Sequence, residues 1–160
     1  MKNNKKGFTL VELLAVIAIL AILVIIALPN VLDLFTSARK SAFHTEVREV
    51  FKQAQTQFVT DSVLVSGSNT RTYASSGGDA TLMLQGGTGG NSSFKYCVKM
   101  DNQGKVLKMK VSNGTYYYEF VSSTEEPVVA PLTDGAAIEV SDVKEIGTAT
   151  DKAYTAASCN

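Results

Sequence analysis

The chain has 160 residues, enough for one domain of ordinary size and an appendage. Fifteen Lys+Arg balance fifteen Asp+Glu. A formal charge of zero argues against a broad basic face for nucleic acid and against an acidic, solvating chain. Hydrophobic residues make up 45% of the sequence but crowd into its first thirty positions, so an apolar anchor precedes a soluble part.

Lys2, Lys5 and Lys6 precede Gly7, and the twenty-one residues from Phe8 to Leu28 carry one charge, Glu12. As a helix this stretch would be roughly 31 Å long, close to the ~30 Å hydrocarbon core of a bilayer. Fifteen of the twenty-one are Leu, Ile, Val or Phe. Each favours insertion by about 0.3 to 0.6 kcal/mol, and their sum outweighs the roughly 2.5 to 3.5 kcal/mol cost of a central charge. The lysines place the amino end in the cytoplasm and send the rest of the chain outward. A cleaved secretory signal fits poorly, because its apolar core is shorter and ends in a small-x-small site, whereas Ala15, Ala18, Ala21 and Ala27 never fall two apart. A plain single-span anchor fits the length and gives no reason for Glu12. Acids inside a span are functional candidates.

The stretch KKGFTLVELL, Lys5 to Leu14, resembles the amino terminus of type IV pilins and the related pseudopilins. In that family a membrane-bound prepilin peptidase cuts after the glycine, the new terminal Phe is N-methylated, and a glutamate four residues on is required for assembly. The resemblance therefore implies a leader 1–7, a cut between Gly7 and Phe8, methylation of Phe8 and an assembly role for Glu12. Pro29 matches a proline common in the family's first helix. The resemblance further implies an assembly ATPase, an inner-membrane platform, and a helical homo-oligomer that leaves the cytoplasmic membrane for the cell surface. It implies no catalysis, cofactor or metal.

Once the leader is removed, the amine freed at Phe8, with an ordinary pKa of about 7.7 to 8.0, can be cationic and can partner a buried glutamate. If the subunits are staggered along a filament, a neighbour's amine meets Glu12 and the pair fixes the axial register. Pairing with its own amine one turn away, or reaching water at the interface, are the simpler alternatives. Both kinds of pairing can hold at different stages of assembly.

Beyond the span, apolar residues recur at Val31, Phe35, Ala38 and Ala42, then at Phe43, Val47, Val50, Ala54 and Phe58. Spacings of three and four predict an amphipathic helix over 29–60. Joined to 8–28 it would run roughly 80 Å. The first half, apolar all round, needs lipid or the core of a filament of identical subunits, where Ala15, Ala18 and Ala21 allow close approach. Pro29 lacks an amide hydrogen and crowds the carbonyl of Ile25, so a kink is expected there, or simply the end of the membrane segment. The family resemblance adds partial unwinding in assembled fibres.

Residues 61–93 hold seven of the twelve glycines and read as a connecting loop. No phosphate-cradling G-x-x-x-x-G-K-[ST] motif occurs in it. Runs 94–100, 105–111 and 115–121 alternate or are aromatic and β-branched, with turns at Asp101–Gly104 and at Asn113-Gly114, the latter a strong two-residue hairpin signal. An α+β fold follows, with the long amino-terminal helix packed on an antiparallel sheet head over 94–160, the architecture pilins share. In 122–160, Pro127 and Pro131 favour loop, and AAIEV (136–140) suggests a further strand.

Cys97 lies in the first of those runs and Cys159 next to the last residue. An outward location permits a disulfide that would anchor the tail; a buried Cys97 beside a free Cys159 is the alternative. The family often carries a carboxyl-terminal disulfide, at variable spacing. His44, the only histidine, has no metal-ligand spacing around it and is expected on the helix surface. Asp134, Glu139, Asp142, Glu145 and Asp151 fit no calcium loop and read as a solvated surface. Asn91-Ser92-Ser93 and Asn113-Gly114-Thr115 match the weak N-x-[ST] pattern, and Tyr116 to Tyr118 alternate as strand residues between core and surface. These features point to a structural pilus subunit, with a pseudopilin or minor pilin next, and a membrane-held binding module that never polymerises third.

Overall fold

The computed structural model describes residues 7–64, 70–76, 78–84, 94–123, 130–146 and 159. Lys2, Lys5, Lys6, Asn91-Ser92-Ser93, Pro127 and Asp151 lie outside them. The chain forms two compact units, Met1–Arg39 and Lys40–Asn160. Helix α1, Leu10–Leu64, contributes to both and remains helical through Pro29.

In the first unit α1 is exposed on every side, from Leu10 (73%) through Leu20 (53%) to Phe35 (60%). Leu, Ile, Val and Ala propagate helix well enough to form this rod, but it has no polar face to give to water. Thr36 hydroxyl bonds back to the Leu32 carbonyl at 3.1 Å, the usual way a helical threonine satisfies itself in apolar surroundings.

The second unit is α+β. Strands β1 (Arg71–Ala74), β2 (Lys95–Met100), β3 (Val106–Ser112), β4 (Tyr116–Val121) and β5 (Lys144–Glu145) form one antiparallel sheet in sequence order. Its registers place Tyr96 opposite Val111, Val98 opposite Met109 and Val111 opposite Tyr118, so one face carries Tyr73, Tyr96, Val98, Met100, Met109, Val111, Tyr116 and Tyr118. These side chains form one core with Phe43, Val47, Val50, Phe51 and Ala54 of α1. Burying each large member stabilises the fold by about 1.5 to 3 kcal/mol. Phe43 stacks on Tyr116 with ring centroids 6.0 Å apart, where the spacing of apolar residues along α1 meets the alternation of β4.

The opposite face carries Lys95, Cys97, Lys99, Lys108 and Lys110, the last paired with Glu119 at 2.9 Å. There Cys97 and Cys159 form a disulfide, with Cα atoms 6.0 Å apart, and cluster with Ala74 away from the main core. The buried-Cys97, free-Cys159 alternative does not hold.

Local chemistry accounts for four differences from the sequence reading. First, α1 runs to Leu64, and the glycine-rich segment contains strand β1, held on its outer side by Asp79, whose carboxylate accepts from the Thr72 amide at 2.7 Å. Arg71 and Tyr73 reach Asp61 of α1 at 3.5 and 3.0 Å, fixing that edge strand to the helix. Second, AAIEV is not a strand. Asp134 caps a 3-10 turn at Gly135–Ala137, and reciprocal bonds between Glu139 and Asp142 close another at Val140–Asp142. Third, His44 is half-buried, and its Nε2–H donates to the Ile138 carbonyl at 2.8 Å, tying α1 to those turns. Fourth, the β3–β4 turn is shifted by one residue. Ser112 pairs with Tyr117 and the Asn113 amide donates to the Tyr116 carbonyl, so Gly114 and Thr115 are the central pair, with Gly114 at φ +90°. That is the arrangement in which glycine leads the turn and Asn precedes it.

Candidate functional site

The site lies where α1 begins. Gly7 and Phe8 precede the helix and are exposed, Phe8 at 92%. A Cβ built on Gly7 would meet nothing within 4 Å, so packing within the chain does not require glycine there. A peptide bond outside hydrogen-bonded helix is open to a protease, whereas one inside it is not.

Thr9 is the last residue before α1 and acts as its N-cap. Its hydroxyl accepts from the Glu12 amide at 3.3 Å, while Glu12 Oε2 accepts from the Thr9 amide and the Thr9 hydroxyl, each at 2.8 Å. The first helical bond, Leu13 N–H to Thr9 carbonyl at 3.2 Å, closes the turn. This is a capping box, T-x-x-E, in which residues at the N-cap and third helical positions satisfy each other's backbone donors. A negative side chain also suits the positive end of a helix dipole.

Glu12 therefore has a local function that neither pairing with its own amine nor contact with water supplies. The sequence reading missed Thr9, although Thr9-Leu10-Val11-Glu12 carries the capping-box signature directly ahead of an apolar run. Both local bonds use Oε2, and Oε1 has no bond among the described residues. One carboxylate can thus cap its own helix and still offer an oxygen to a cation.

From Leu10 to Leu28 the large apolar side chains are all exposed within the chain, and the helix is long and apolar enough to cross a membrane. The loss of the amide hydrogen at Pro29 leaves the Ile25 carbonyl without its helical donor while α1 continues. Among the described residues no group of three or more His, Cys, Asp or Glu is placed to hold a metal.

Residues 2–28 match the family model of the prokaryotic N-terminal methylation motif. That is the signal motif of type IV pilins and pseudopilins, and this chain carries it on an apolar helix attached to a pilin-like α+β head. No curated protein and no solved structure matches the chain. The motif fits a membrane-anchored precursor and suggests a structural subunit.

Proposed function

We propose that this chain is the structural subunit, as the major pilin, of a bacterial type IV pilus. Prepilin peptidase cuts between Gly7 and Phe8, and Phe8 becomes the methylated terminus. Residues 8–28 hold the subunit in the cytoplasmic membrane until the assembly ATPase and inner-membrane platform add it to a growing surface filament. There the apolar half of α1 exchanges lipid for identical helices, and a loosened turn at Pro29 lets the helix bend into place.

The observation that carries this reading is the pairing of a motif-bearing start with an exposed apolar stretch of α1, up to Leu28, whose single acid keeps one oxygen unengaged among the described residues. In the filament, Oε1 of Glu12 accepts from the Phe8 amine of the neighbouring subunit, so a subunit out of axial register leaves a charge unpaired in apolar surroundings. That cost selects the correct stagger.

Glu12→Gln separates the two functions of this residue. Glutamine at the third helical position keeps the capping box but has no charge. The variant is expected to be processed and inserted normally and to yield no fibres. Wild-type fibre yield from Glu12→Gln would reduce Glu12 to a helix cap and refute the register role. The same motif serves pseudopilins and minor pilins. An abundant sheared-fibre fraction supports the major pilin, and scarcity with intact processing supports those alternatives.

A further inference from the structure

The β3–β4 turn places an asparagine amide in a reactive setting that the proposed function does not use. Asn113 is followed by Gly114, which is exposed, has no side chain and holds φ +90°. Asn113 Oδ1 accepts two backbone N–H bonds, from Thr115 at 3.0 Å and Tyr116 at 2.9 Å. The Gly114 N–H donates to the Ser112 hydroxyl at 3.2 Å. Among the described residues nothing bonds the side-chain nitrogen of Asn113.

We propose that Asn113 is a modification site at which the folded protein deamidates spontaneously, converting the turn amide to an acid. The Gly114 nitrogen loses its proton to hydroxide and attacks the Asn113 side-chain carbonyl carbon. A C–N bond forms, the side-chain nitrogen takes a proton from water, returning the hydroxide, and leaves as ammonia as its C–N bond breaks, and a five-membered succinimide remains. Water then opens the ring to aspartate or isoaspartate, with no oxidation or reduction. Negative charge develops on Oδ1 during the attack, where the Thr115 and Tyr116 amides already point, and fixed donors at that position lower the barrier. Gly114 adds no Cβ to obstruct the approach. The unbonded side-chain nitrogen is free to depart.

The products differ in consequence. Aspartate keeps both amide bonds to its side chain and strengthens them with charge. Isoaspartate lengthens the main chain by one carbon at a turn whose register, Ser112 opposite Tyr117, depends on a two-residue connection. Either product adds a negative charge to a chain of formal charge zero.

The test is to incubate the full-length protein, folded in detergent micelles, at mildly acidic and mildly alkaline pH, and to map its peptides by mass spectrometry. Asn102, exposed and followed by Gln103, serves as the control within the same molecule. The expected result is the amide-to-acid mass change at Asn113, as two isomeric peptides, at a rate rising with hydroxide concentration, while Asn102 stays an amide. A parallel sample unfolded in denaturant gives the reference rate. If Asn113 persists in the folded chain and converts only in the unfolded one, the turn protects the amide and the proposal fails. Conversion of Asn113 no faster than Asn102 overturns it equally.

Discussion

A carboxylate at the third position of a helix has a shape and a charge, and Glu12 has separate uses for them. The shape closes the capping box with Thr9. The charge has no counter-ion among the described residues, and the proposed register role rests on it. Glu46 shows a different case within the head. Its Oε2 is buried without a partner among the described residues, and burial first, then the nearby Glu49, pushes its carboxyl above the usual range. A raised carboxyl pKa means that the folded state holds the proton more tightly than the unfolded chain. The associated stability is present below the ordinary carboxylate pKa and is lost as pH rises through the folded value. Glu46→Gln should therefore raise the melting temperature at neutral pH, with the gain shrinking in acid as the wild-type side chain protonates. Thermal unfolding of both proteins across that pH range checks this, and an equal melting temperature at neutral pH would count against the argument.

At the level of elements, the head depends on one helix face meeting one sheet face. Phe43 sits in that contact, 1% exposed and stacked on Tyr116. Phe43→Ala should cost about 3 to 5 kcal/mol of head stability, read by denaturant unfolding, because a buried ring leaves a cavity that packed strands fill poorly. On the other sheet face, the disulfide closes a span of 62 residues. Replacing both Cys97 and Cys159 by alanine should lower stability by up to about 4 kcal/mol in the chain-entropy model. A loss within experimental error would show that the tail is held by other contacts. Much of this level was legible in the sequence, since the α1 spacing from Phe43 to Ala54 and the alternation in β3 and β4 are direct prints of burial on one face, whereas Val31, Phe35, Ala38 and Ala42, read as part of the same stripe, are exposed because no sheet lies against that part of the helix within the second unit. Strand β1 was not legible, because four residues in a glycine- and serine-rich segment have no periodicity of their own and become strand only by pairing with β2 and bonding to Asp61 and Asp79. AAIEV failed for the converse reason. Its β propensity lost to side-chain caps from Asp134, Glu139 and Asp142, which satisfy the backbone locally and leave it without a ladder.

For the whole molecule, the two units have opposite needs. Residues from Lys40 onward have a core of their own, in which Val47, Val50, Val98, Met109 and Val111 are fully buried. Among the described residues up to Arg39 no large apolar side chain is buried within the chain, a need that lipid or other copies can meet. A precursor that first lies in a membrane and then enters a filament core satisfies that need at both stages. The polarity of the chain, with the motif at residues 2–28 and the apolar start of α1 that it takes in ahead of the head, was readable from sequence because it depends on local order alone. The central claim, that this chain is cut, modified and polymerised, is tested most directly by the intact mass of the polypeptide in filaments sheared from the surface of producing cells. The account predicts a species that begins at Phe8, carries one added methyl group and lacks the two hydrogens of a Cys97–Cys159 bond. Absence of the chain from that fraction, with a membrane-bound form still beginning at Met1, would contradict it.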